Sequence, residues 1–103
     1  MRLVLHHEAS AELAAAAEWY ERQGSGLGDA LLDDVTKALV AIAESPRTWP
    51  RMPRGYRGVR RFVLARFPYG VVYVERPDHL LVAAIAHTSR EPGYWRNRLR
   101  GPA

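Results

Sequence analysis

The chain contains no cysteine. Disulfides, a thiol nucleophile and thiolate metal sites are excluded, and the composition suits a reducing compartment. Lysine is nearly missing as well: Lys37 is the only one, so 14 of the 15 cations are arginine. Long apolar runs are missing. The longest, Leu80–Ala86, has seven residues, far short of the ~20 needed to span a bilayer. The N-terminus offers only Leu3-Val4-Leu5 before His6, His7 and Glu8, too short for the core of a signal peptide. The cytoplasm is the expected location, with no membrane partner. Acids are missing from one long stretch: none occurs between Ser45 and Val74.

What is present is unevenly placed. Residues 1–44 hold eight acids and three bases, a net of −5. Residues 45–103 hold twelve arginines and three acids, a net of +9. A preference for arginine on solvated surface explains the choice of cation but not thirty residues without an acid. The guanidinium is a planar, permanently charged fork suited to phosphate and carboxylate. The asymmetry therefore points to an anionic partner for the second half.

A length of 103 residues predicts a single domain, 1–103, able to hide roughly 65% of its unfolded surface in one core. Leu3–Leu5 is a short first strand. From Glu8 the pattern becomes helical, with Ala9, Leu13, Ala16 or Ala17, and Tyr20 in one stripe. Gln23-Gly24-Ser25-Gly26 ends it. A second stripe follows through Leu27, Leu31, Val35, Ala38 or Leu39, and Ile42, and Ser45-Pro46 stops it. So short a connection makes the two helices an antiparallel hairpin. Residues 46–58, with Pro46, Pro50, Pro53, Gly55 and Gly58, form an irregular connection pinned to the core by Trp49. Three strand-like runs come next: Val59–Leu64, Tyr69–Glu75 and His79–His87. The last is apolar on both faces, the mark of a central strand covered on both sides. Strict alternation puts His87 on the face of Leu81, Ala83 and Ile85. Glu91-Pro92 looks like a helix start, opening a basic, aromatic tail.

Little in this pattern points to a familiar catalytic apparatus. The four histidines, His6, His7, His79 and His87, form no metal-ligand spacing, and no metal or cofactor is expected. Gly24-Ser25-Gly26-Leu27-Gly28 joins two helices instead of following a strand, so it is no phosphate loop. His87 stands out because it ends a strand near Arg90 and Tyr94, in a segment that also carries Arg60, Arg61 and Arg66. An imidazole moving a proton, with guanidiniums on the transition-state charge, is chemistry able to cleave RNA. The same arginines suit plain binding of a polyanion or an acidic protein segment.

The order of these pieces resembles the RelE/ParE family of toxins from toxin–antitoxin pairs, closest to its ParE-like, plasmid-stabilisation branch. The residues that carry the likeness are His7-Glu8-Ala9, Glu18-Trp19-Tyr20, Ser45-Pro46, Val59-Arg60-Arg61, Phe67-Pro68-Tyr69, Val72-Tyr73, and Ala86-His87 followed by Arg90, Pro92, Tyr94-Trp95 and Arg98. They cover nearly the whole chain. The resemblance implies an α+β fold: an N-terminal strand, an antiparallel helix hairpin packed on a small, mainly antiparallel sheet, and a short C-terminal helix. It implies a type II toxin neutralised by a cognate antitoxin, with DNA gyrase as target and no enzymatic activity of its own. The alternative within the family is a ribosome-dependent mRNA endoribonuclease, for which Arg61, His87, Arg90 and Tyr94 would be the catalytic set. Arg57, Arg60, Arg66, Trp95, Arg96 and Arg98 are then the residues expected to bind antitoxin or target. Gly70 stands where nuclease members often have an arginine, and the strands carry no lysine. Both departures favour gyrase. A non-toxic nucleic-acid-binding module is the third possibility.

Overall fold

A computed structural model describes residues 2–53 and 55–100. The elements are β1 (Arg2–Leu5), α1 (His7–Gln23), α2 (Leu27–Glu44), β2 (Val59–Val63), β3 (Tyr69–Glu75) and β4 (His79–His87), followed by one 3₁₀ turn, Arg96–Leu99. The sheet order is β1-β4-β3-β2. β1 runs parallel to β4, and the other pairs are antiparallel. This is the α+β arrangement expected from the sequence. Among the described residues no helix is long and apolar enough to cross a membrane.

The helix hairpin covers one face of the sheet. Ala9 and Ala16 of α1 and Leu31, Val35, Ala38 and Ile42 of α2 pack with Val71 and Tyr73 of β3 and Leu80, Val82 and Ile85 of β4. The helices touch closely because Gly28 has no side chain: a Cβ there would lie 2.6 Å from the Ala17 carbonyl oxygen. Trp49 does pin the connection, meeting Phe62 edge-on at 4.5 Å.

The opposite face has its own smaller core. Met52, Val59, Val72, Ala84 and Ala86 surround Trp95, whose side chain is 1% exposed. Loop and tail thus replace a second helical layer. This is why β4 is apolar on both faces.

Two expectations need correction. Val72 pairs with Ala84 and Tyr73 with Val82, so Ala83 is an extra residue in β4, a β-bulge. The bulge shifts the alternation, and Leu80 and Val82 share the helix-side face with Ile85. His87 joins this set, whereas strict alternation grouped it with Leu81 and Ala83. Glu91-Pro92 opens no helix. Gly93 adopts φ +90°, a turn conformation that ends any helix there, and helical structure is confined to Arg96–Leu99.

Candidate functional site

A groove of about 430 Å³ runs between the exposed side of α1, the start of β3, the end of β4 and the tail. Its walls are Ala15, Ala16, Trp19 and Tyr20 of α1, Tyr69, Ile85 and His87 of the sheet, and Arg90 and Tyr94 of the tail, with Glu12 also lining it. Alanines at two neighbouring positions on the helix leave the hollow. Trp19 stands at its rim, 49% exposed, its ring edge-on to Tyr20.

Glu12 organises this region. β1 ends at Leu5, whose partner on β4 is Val82, and the next backbone group, the His6 N–H, donates to the Val82 carbonyl. Beyond that point side chains take over. The Ile85 N–H donates to Glu12 Oε1 at 3.0 Å. Arg98 donates to the same oxygen at 2.9 Å and to the carbonyl of the bulged Ala83 at 3.1 Å. The Tyr94 hydroxyl donates to Glu12 Oε2 at 2.8 Å. One carboxylate thereby ties helix, bulge and tail together. Burial first, then the Glu12 hydrogen bond, push the Tyr94 phenol well above its usual range, so it stays protonated. Burial works against the Arg98 charge, but its Glu12 hydrogen bond and the nearby Glu12 and Glu8 charges outweigh that and raise its pKa.

Three of the four residues considered for nuclease chemistry meet here. His87 lies edge-on to Tyr69 at 5.1 Å, and the Arg90 guanidinium sits 3.8 Å above the Tyr94 ring. The His87 Nδ1 accepts the Ser89 backbone N–H at 3.0 Å and lies 2.7 Å from the Ser89 hydroxyl. A neutral ring accepting at Nδ1 carries its proton on Nε2. Both Ser89 groups thus engage Nδ1, and Nε2 has no hydrogen-bond partner among the described residues. Arg61 is elsewhere, on β2, two strands from β4, beside Trp49 and Pro50. Gly70 makes room for it: a Cβ there would lie 2.9 Å from Arg61 Cδ.

The residues expected to bind a partner divide into two groups. Trp95 is buried and Arg98 is tied to Glu12, so both hold the tail down. Arg66 forks onto Asp34 at 2.9 and 2.7 Å, linking β2–β3 to α2. Arg57 is exposed in the loop. Arg96 is exposed and lies 4.6 Å over the Tyr56 ring. Arg60 gives one N–H to the Trp49 carbonyl at 2.7 Å and lines a second hollow.

His6, His7 and Glu8 each bring a ligand atom within 4.8 Å of the others. The two imidazoles stack at 4.3 Å, so their in-plane lone pairs run side by side instead of converging. His6 Nδ1 already accepts the Glu8 N–H as the helix cap. This arrangement suits capping better than a metal.

Glu12 was the residue that sequence reasoning missed. Its signal was there: Ala9, Glu12 and Ala16 fall at spacings of three and four, so the acid lies on the apolar stripe. An acid on that stripe must find partners inside the fold.

A family model described as the ParE toxin of type II toxin–antitoxin system, parDE, matches residues 3–92. The chain belongs to the ParE toxin family. Among solved structures, one titled as the chromosomal ParDE toxin–antitoxin system from P. aeruginosa superposes with a TM-score of 0.68 at 19% identity, covering 84% of this chain and 95% of that one. At that identity the likeness is one of fold. No curated protein sequence matches significantly. The ParE family match runs from β1 past β4 and stops at Pro92, so Tyr94, Trp95 and Arg98 lie in the tail beyond it.

Proposed function

We propose that this ParE-family chain is the toxin of a type II pair, held by a cognate antitoxin, and that its target is DNA gyrase. The supporting observation is that the groove's reactive groups are engaged within the fold. The Tyr94 hydroxyl donates to Glu12, the His87 Nδ1 is engaged by Ser89, and Arg61 lies outside the groove. What the groove leaves open is binding surface: the exposed Trp19 ring, small alanines, and Arg90 with no acidic partner among the described residues. A partner segment with an apolar side chain for Trp19 and a carboxylate for Arg90 fits it. The expected result is arrest of growth on induction, inhibition of supercoiling by purified gyrase, and relief of both by the antitoxin. Unimpaired gyrase at saturating protein would overturn the target assignment.

The ribonuclease alternative draws on one observation, the meeting of His87, Arg90 and Tyr94 in one groove. It predicts ribosome-dependent cuts in mRNA after induction, abolished by His87→Ala and Arg90→Ala. Mapping of mRNA 5′ ends distinguishes the two.

A further inference from the structure

A second cationic surface lies away from the groove, beside the C-terminal end of α2. There the loop pairs with β2: the Met52 N–H donates to the Val59 carbonyl at 2.8 Å and the Arg61 N–H to the Pro50 carbonyl at 3.0 Å. Arg51 is thereby set directly opposite Arg60. Like charges directly opposed across a ladder are destabilising. Both side chains line a hollow of about 410 Å³ that also contains Arg47 and Glu75. Glu75, the only acid there, has both oxygens occupied by the Arg47 fork at 3.1 Å each. Neither Arg51 nor Arg60 has a carboxylate within 4 Å among the described residues, and Arg60 acts on Glu75 only from a longer distance. A neighbouring hollow of about 390 Å³ shares Arg51 and Gly58 and adds Arg57.

We propose that this Arg57–Arg51–Arg60 track binds the phosphodiester backbone of a nucleic acid. The guanidinium fork matches phosphate oxygens, and two adjoining hollows suit consecutive phosphates better than one isolated anion. An amphipathic protein segment is the poorer fit. None of the exposed large apolar residues, Trp19, Leu27, Leu32, Val40 and Val63, lines either hollow. Phosphate contacts position a duplex without reading its sequence, so binding is sequence-independent. The proposal does not depend on the gyrase assignment.

The test is fluorescence anisotropy of the full chain with a short labelled DNA duplex, titrated between about 50 and 200 mM salt. Arg51 and Arg57 are exposed and give no side-chain hydrogen bond to the described residues, so Arg51→Ala/Arg57→Ala keeps the fold, checked by its melting temperature. It weakens binding at least about tenfold and reduces the log–log salt slope by about 2. The Arg2→Ala/Arg22→Ala double variant removes the same charge from exposed positions outside both hollows and the groove, and changes binding less than about threefold. Absence of duplex binding at low salt overturns the proposal, as does equal loss in both double variants. Equal competition by a polyglutamate peptide overturns it in favour of an acidic protein ligand.

Discussion

The Glu12–Arg98 cluster beside the groove and the arginine track are both built around guanidinium groups, and they differ in what surrounds them. Beneath the groove wall Arg98 is nearly enclosed, its side chain 11% exposed, and it faces Glu12 at 2.9 Å. In the track Arg51 faces Arg60, and the one acid nearby is already taken by Arg47. The first arrangement is closed electrostatically and contributes to the fold. The second leaves positive charge that only an outside anion can neutralise. Arginine count alone says nothing about which role a residue plays; the position of the nearest carboxylate decides it.

Glu12→Ala should break the contrast most sharply. It leaves the Tyr94 hydroxyl and the Ile85 N–H without their acceptor and Arg98 with only the Ala83 carbonyl and the more distant Glu8, and should cost about 3 kcal/mol in urea unfolding. Glu12→Gln keeps an acceptor oxygen and should cost less. A loss below about 1 kcal/mol would show that Arg98 behaves as a surface ion pair.

Trp19→Ala should act on binding and spare stability. The ring is half exposed, so unfolding should change by less than about 1 kcal/mol. Affinity for the antitoxin should fall about tenfold, or ~1.4 kcal/mol, read by calorimetry. Unchanged affinity would separate the groove from the partner's path.

The smallest expected effect sharpens the helix start. His6 is buried, 5% exposed. Burial, and then the neighbouring His7, hold its pKa below the usual histidine value. A lowered folded-state pKa means the unfolded chain binds more protons in the window just below about 6.5. Stability contributed by neutral His6 is therefore full above that value and is lost as pH falls through the window. A melting-temperature series from pH 7.5 down to about 5 should show a shallow decline, flattened in His6→Asn. The carboxylates Asp34 and Glu75, with pKa lowered by the Arg66 and Arg47 hydrogen bonds respectively, lose their contribution only at more acid pH, which keeps the two effects apart.

Much of the scaffold was legible in the chain. The apolar stripes announced both helices, Ser45-Pro46 announced the stop, and the apolar run from Leu80 to Ala86 announced a strand covered on both faces. The site was legible in part. The proximity of His87, Arg90 and Tyr94 follows from a strand end and a tight turn, which are local. Arg61 stands apart from them because β3 lies between β2 and β4, an order that one sequence does not reveal. Strict alternation puts His87 on the wrong face because a single bulged residue, Ala83, reverses the alternation without leaving any compositional mark.

By itself, then, the sequence determined the succession of elements, the acidic first half, the arginine-rich second half and the likeness to a toxin family. Those features depend on near neighbours, periodicity and composition. Tertiary structure alone decided which charges cancel. Glu12 and Arg98 are far apart in the chain and meet only because β4 bulges and the tail folds back. Arg51 and Arg60 oppose each other only because the loop pairs with β2. An arginine becomes a structural strut or an open anion site according to what lies within about 4 Å of it, and only the folded chain sets that distance.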